Sequence, residues 1–214
     1  MEANKITIKT LFISIITIVL TELITRVVIL KHLFDPMIIL GVTRFLEIIM
    51  IILIVFSYEK GTSVIGLAQE RMASGFIKGL LWSIGFGMVT SIAFVVLFIF
   101  GVDPFKLIQA HLPSKRTDII LFVFIGGVLS PVAEEIFFRG LLYGFFRRWG
   151  VLLAVILSTM IFVLAHPVMP GVPLPQIVGG IIFAIAYEVE GSLVTPIVIH
   201  ILGNMAIYIL SLIL

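Results

Sequence analysis

The chain has 214 residues, of which 61% are hydrophobic and 12% charged, with a mean hydropathy of +1.28. Soluble domains carry about a quarter charged residues, so this balance excludes an ordinary globular domain and indicates a polytopic membrane protein. A formal charge of +2 gives no reason to expect nucleic-acid binding, and the absence of cysteine excludes disulfides, thiolate metal sites and a cysteine nucleophile.

The first span is expected over 10–30, preceded by Lys5 and Lys9. Further apolar stretches follow it and no small-residue cleavage site does, so it reads as a retained helix rather than a signal peptide. Glu22 and Arg26 stand i, i+4 inside it and are expected to neutralise each other. The second span, 36–56, is entered by Asp35-Pro36, a helix-start signal, and holds the i, i+3 pair Arg44 and Glu47. A polar break over 57–75 follows, whose middle, 63–73, is expected to lie as a short interfacial helix. The third span, 76–100, carries Gly79, Gly85 and Gly87, all suited to close helix contact. The loop 101–117 holds His111, which reads as a solvated histidine, and the Lys115-Arg116 pair.

The fourth hydrophobic segment, 118–148, is expected to be interrupted at Ser130-Pro131, where a proline frees a backbone carbonyl. Trp149-Gly150 make a corner, and a shorter span, 151–165, ends at His166-Pro167. A proline-rich turn over 169–175, a sixth span over 174–188 and a seventh over 192–214 complete the chain. The expected fold is therefore all-α, a polytopic transmembrane helical bundle of about seven spans forming one domain over 1–214. With the N-terminus inside, the inner side collects Lys5, Lys9, Lys60, Arg71, Lys78, Arg147 and Arg148, more basic residues than Lys31, Lys106, Lys115 and Arg116 outside. That asymmetry favours a cytoplasmic N-terminus.

Chemistry concentrates in the last four spans. A charge near a bilayer centre costs roughly 3 kcal/mol on insertion scales, yet Glu134, Glu135 and Arg139 fall within six residues of apolar sequence. Glu135 and Arg139, spaced i, i+4, can pair; Glu134 points about 100° away and has no local partner. At 1.5 Å per residue, Glu134 and His166 both lie roughly 22–26 Å from the corner at Trp149, on antiparallel neighbours. His200 and Asn204 share a helix face roughly 14–20 Å from the corner at Gly191. Phe162, one turn before His166, can pack beneath its imidazole. Buried polar clusters in membranes mark functional sites, and this set suits peptide hydrolysis. A carboxylate held out of bulk water can take a proton from a water molecule, an imidazole can share that water, and a second histidine with an amide can donate to the oxyanion. No cofactor is required by that scheme. The alternative is Zn²⁺ on Glu134, His166 and His200, although no H-E-x-x-H pattern is present. The residues leave both arrangements open.

The three motifs, E-E-x-x-x-R at Glu134, Glu135 and Arg139, F-x-x-x-H at Phe162 and His166, and H-x-x-x-N at His200 and Asn204, resemble the signatures of the CPBP family. These are the CAAX proteases and bacteriocin-processing or Abi proteins. The resemblance covers about 119–214, and it sets a catalytic core over 118–214 beside N-terminal helices over 1–100. Val163 stands where the family often has a small polar residue. The resemblance implies an intramembrane endopeptidase in which Glu134 and His166 activate water, His200 and Asn204 form the oxyanion hole, and Glu135, Arg139 and Phe162 support them. It implies membrane lipid and a peptide or lipidated-protein substrate as partners, and the compactness of the chain leads to the expectation of a prokaryotic cell membrane. Its alternative is a non-proteolytic scaffold acting on a membrane-protein partner. A third reading, a proton-coupled transporter, is disfavoured because no paired halves are visible.

Overall fold

The computed structural model describes residues 6–59, 61–166 and 173–213. Among them every regular element is helical. In lipid this follows from the backbone, whose N–H and C=O groups must be satisfied within the segment.

Helix α1, Ile8–Leu30, begins where the Thr7 hydroxyl accepts the Thr10 N–H, and α2, Pro36–Tyr58, begins where Asp35 accepts the N–H groups of Met37 and Ile38. The break that follows is not one interfacial helix. Thr62–Ile65 form a 3₁₀ turn, and Gln69 onward already belongs to α3, Gln69–Ile99. Gly66 separates the two with φ of 79°, a conformation that favours glycine, and its carbonyl accepts the Leu193 N–H at 3.0 Å. A Cβ there would stand 2.8 Å from the Tyr187 ring, so the break is docked onto the C-terminal helices rather than floating on the membrane surface.

Helix α4, Arg116–Trp149, lies at the centre and packs against α2, α5 and α7. The expected interruption at Ser130-Pro131 is absent: the chain stays helical through it. Instead the turn just before, Ile125–Leu129, widens to π geometry, which accommodates a proline that has no N–H to give. A second π segment covers Ile136–Tyr143. Gly150, at φ 111°, turns the chain into α5, Val151–Ala165; α6 covers Leu174–Glu190 and α7 Val194–Ile213. Of the expected proline-rich turn, 169–172 lie outside the described residues, and Leu174 and Pro175 are the first turn of α6. Among the described residues, five segments, those of α1 to α4 and α7, are long and apolar enough to cross a membrane. With 15 and 17 residues, α5 and α6 reach about 22–26 Å, short of the roughly 30 Å hydrocarbon core.

Helix α3 lies along α7, and α5, α6 and α7 pack in sequence around α4. Gly79 allows the α3–α7 approach, since a Cβ there would meet Val198 at 2.6 Å, whereas Gly85 and Gly87 face open space and make no close helix contact. The expected Glu22–Arg26 pair is replaced by one between helices. Arg44 binds Glu47 on its own helix and reaches Glu22 of α1 at 2.5 Å. Glu47 also accepts from Thr21 at 3.3 Å, and the Thr25 and Thr43 hydroxyls meet at 2.5 Å. The antiparallel α1–α2 contact decides this, because it sets Glu22 opposite Arg44 where helical periodicity sees only Arg26. At the corner ends of the same bundle, Arg147 forks onto Glu188 and Lys78 reaches Glu190 at 2.6 Å.

Candidate active site

Glu134 and Glu135 sit in the short α-helical stretch Ser130–Glu135 between the two π segments of α4. Adjacent helical residues diverge by about 100°, yet both carboxylates address one imidazole. His200 of α7 donates from Nδ1 to Glu135 Oε1 at 2.8 Å and turns Nε2 toward Glu134 Oε2 at 3.8 Å. The i, i+4 pair expected within α4 is present: Arg139 donates to the same Glu135 oxygen at 2.9 Å, and both side chains are fully buried. The other arm of the Arg139 guanidinium donates to the Gly180 carbonyl of α6 at 3.1 Å. Glu135 is thus a hub, with a cation and an imidazole on one oxygen.

His166 arrives from the end of α5. The residue before a proline avoids the helical region, and His166 is extended at φ −86° and ψ 149°, so the helix stops and its side chain turns back. Its Nδ1 donates to the Phe162 carbonyl at 2.7 Å, and its Nε2 faces Glu134 Oε2 at 3.8 Å. The expected packing of Phe162 under His166 is present, with ring centroids 4.5 Å apart. Because a carbonyl and a carboxylate can only accept, both Nδ1 atoms carry hydrogen. In the neutral imidazoles both Nε2 atoms therefore present lone pairs.

Glu134 Oε2 lies between them, equidistant from both, and has no hydrogen-bond partner among the described residues. A gap of 3.8 Å is too long for a direct bond and suits a bridging water. Glu134 Oε2 is itself buried, although the Glu134 and His166 side chains as wholes keep 22% and 26% of their surface exposed, against 6% for His200. Among the described residues no three His, Cys, Asp or Glu side chains are arranged to hold a metal ion.

Asn204 stands one turn beyond His200, but its amide donates to the Gly126 carbonyl at 2.9 Å. That carbonyl belongs to the π turn ahead of Pro131, so the backbone group freed by the proline's surroundings has a side-chain partner. The structure accordingly brings Glu134, His166 and His200 to one point, ties Glu135 and Arg139 behind them, and sets Asn204 against α4. The cavities found between Asp103, Lys106 and Ser211, and beside Glu22 and Arg26, lie away from this point.

Two contributors escaped sequence reasoning. Phe183 of α6 stacks on His200 with centroids 4.6 Å apart and planes at 22°, and Gly180 supplies a carbonyl. Neither carries a polar side chain, so the polarity that marks the other positions is missing at both.

The all-helical unit with its Glu/His/His convergence and Arg–Glu pair can be set beside known proteins. Residues 116–206 match the Rce1-like family, described as type II CAAX prenyl endopeptidase Rce1-like, so the resemblance read from the three motifs holds over that segment. The membrane-embedded CAAX protease MroQ of Staphylococcus aureus is 32% identical over 91 residues, 39% of this chain and 36% of that protein. An uncharacterized 24.3 kDa protein of Escherichia coli is 26% identical over 133 residues, 57% of this chain and 59% of that one. The chain thus spans roughly a third to three fifths of the length of these curated relatives. No solved structure matches.

Proposed function

We propose that the chain is an intramembrane endopeptidase that hydrolyses a peptide bond near the membrane with a water activated by Glu134 and His166. The observation that carries this reading is Glu134 Oε2, bare of partners and 3.8 Å from both Nε2 atoms. A water there gives one proton to the carboxylate and is oriented by the lone pair of His166 Nε2. Its oxygen attacks the scissile carbonyl carbon, and the negative charge moves to the carbonyl oxygen. Asn204 would offer the amide hydrogen that Gly126 does not take. His200 donates from Nε2 only in the form that carries a proton on both nitrogens. Collapse returns the proton from Glu134 to the leaving amine, yielding a carboxylic acid and an amine with no covalent enzyme intermediate.

Glu135, Arg139 and Phe162 act behind these groups, holding His200 and His166 in register. The donor types of Glu134, His166 and His200 also suit zinc, which when bound would polarise the carbonyl and activate water. In that case the Glu135 and Phe162 contacts to the Nδ1 atoms would orient the ligands. The substrate on this reading is a membrane-tethered peptide or lipidated protein. The chain is placed in a prokaryotic cell membrane with its N-terminus cytoplasmic, and a membrane-protein partner belongs to the scaffold alternative.

The test is cleavage of a panel of membrane-tethered peptides by purified protein beside Glu134→Ala and His166→Ala. Cleavage by wild type and loss in both variants is the expected result. Undiminished cleavage in both removes the mechanism, and no cleavage by wild type favours the scaffold. Metal content of the same preparation, and activity before and after chelation, separates zinc from direct carboxylate catalysis.

A further inference from the structure

The covalent Cβ–Cγ bond and the hydrogen bond from Nδ1 to Glu135 set the orientation of the His200 ring, and only libration within the tolerance of that bond is left. A contact on the ring face must limit that libration if Nε2 is to stay on Glu134. Phe183 is placed to do so. Its ring is stacked on the imidazole at 4.6 Å and 22°, while Phe162 meets the same imidazole edge-on at 5.9 Å and 76°. Phe183 is itself constrained: it is 6% exposed, lies edge to face with Phe162 at 6.5 Å, and has the Arg139 guanidinium 5.1 Å from its centre. Its ring also folds back over its own helix. A Cβ at Gly179, one turn earlier, would stand 3.3 Å from the Phe183 Cε2 and Cζ atoms, so the ring occupies room that only a glycine leaves.

We propose that Phe183, seated on Gly179, is a positioning residue that fixes the plane of the His200 imidazole and thereby aims Nε2 at the water site of Glu134. The proposal rests on the endopeptidase reading for its catalytic consequence, but the stacking itself does not. It adds α6, which supplies no acid, base or nucleophile to the site, to the parts on which turnover depends. Aromatic stacking of this kind contributes beyond simple burial because the ring faces have a preferred geometry, and an aliphatic side chain of similar volume cannot reproduce it. Phe183→Leu therefore loses the alignment while keeping an apolar filling. Phe183→Tyr keeps the π face. Gly179→Ala improves helix propensity, so it does not weaken α6 as a helix, yet it presses on the ring by a few tenths of an ångström.

The experiment measures two quantities on the full chain in lipid nanodiscs. The first is the proton shift of the His200 imidazole, assigned among the four histidines by His200→Gln. Stacking on Phe183 shields those protons, so they are expected upfield in wild type and in Phe183→Tyr, and displaced toward the unstacked position in Phe183→Leu and, by less, in Gly179→Ala. The second is cleavage of whichever tethered peptide wild type cuts. There kcat is expected to fall about tenfold in Phe183→Leu and a few-fold in Gly179→Ala with KM little changed, and Phe183→Tyr to retain it, as for an interaction felt only in the transition state. Unchanged His200 resonances in Phe183→Leu would overturn the proposal, as would displaced resonances with kcat intact. If wild type cuts no peptide, the endopeptidase reading fails by that result, and nuclear Overhauser contacts of the His200 ring protons with their other neighbours decide the rest: contacts changed in Phe183→Leu support an orienting role, and unchanged contacts overturn it.

Discussion

Two clusters of buried charge lie within this bundle, and they are built from nearly the same parts. Between α1 and α2, Arg44 is shared by Glu22 and Glu47, and Thr21 supplies a further hydrogen bond to Glu47. In α4, Arg139 holds Glu135, and Glu134 stands beside it with an oxygen that nothing binds. The first cluster satisfies its charges with its own side chains, whereas the second leaves Glu135 Oε2 and Arg139 Nε without a partner and Glu134 Oε2 bare between two imidazole lone pairs. A buried polar atom without a partner is costly, so a fold retains it where a ligand or a reaction completes it. The contrast separates a charge cluster that locks two helices from one that leaves acceptor positions open. Spacing along a single helix does not make that distinction, because both clusters contain an i, i+3 or i, i+4 pair.

The contrast is broken most directly by removing the bare acid. Glu134→Gln is expected to lower peptide cleavage by about 10²–10⁴-fold, the range ascribed to a positioned general base. Its thermal midpoint in detergent should not fall, since the substitution removes an unpaired buried charge. The converse holds at the other cluster. Arg44→Ala leaves Glu47, only 2% exposed, without its cation, and is expected to cost about 3 kcal/mol in unfolding measurements while activity per folded molecule stays level. If Arg44→Ala proves harmless to stability and harmful to cleavage, the division between the clusters is wrong.

Smaller changes sharpen the comparison within the catalytic half. Gly180→Ala would bring a Cβ to 2.7 Å from the Thr159 methyl while disturbing the carbonyl that holds Arg139, and overpacking of this kind costs about 1–3 kcal/mol. The expected readout is a lowered melting temperature together with reduced cleavage. Weakest of all, Tyr143→Phe removes the 2.7 Å hydrogen bond to Glu188, which Arg147 still holds, and should cost about 1 kcal/mol of stability with cleavage unaffected.

Much of this was legible beforehand, for reasons that can be stated residue by residue. The Glu135–Arg139 pair, the isolation of Glu134 and the support of His166 by Phe162 follow from positions on one helix turn, which periodicity describes well. Counting residues from the corners places Glu134, His166, His200 and Asn204 in overlapping layers; the first three meet, whereas Asn204 bonds the Gly126 carbonyl instead. The failures involve neighbours on different helices or a local change of pitch. Glu22 was assigned to Arg26 because only α1 was visible to the count, and Arg44 lies on α2. Pro131 was read as an interruption, but a widened turn before it keeps the helix whole. Phe183 carried no polar signal, so nothing set it apart from the many phenylalanines of the chain.

The amino-acid order by itself determined that the chain is a set of membrane helices, where most of them begin and end to within a few residues (the start of α3 at Gln69 excepted), and which side chains on one helix can reach one another. These are local matters, governed by hydrogen bonding of the backbone to itself in lipid and by 3.6 residues per turn. Only the packed bundle decided which carboxylate oxygens are answered and which are left bare. That depends on groups from α1, α2, α4, α5, α6 and α7 arriving within about 3 Å of one another, a hydrogen-bond distance far finer than residue counting along separate helices can reach.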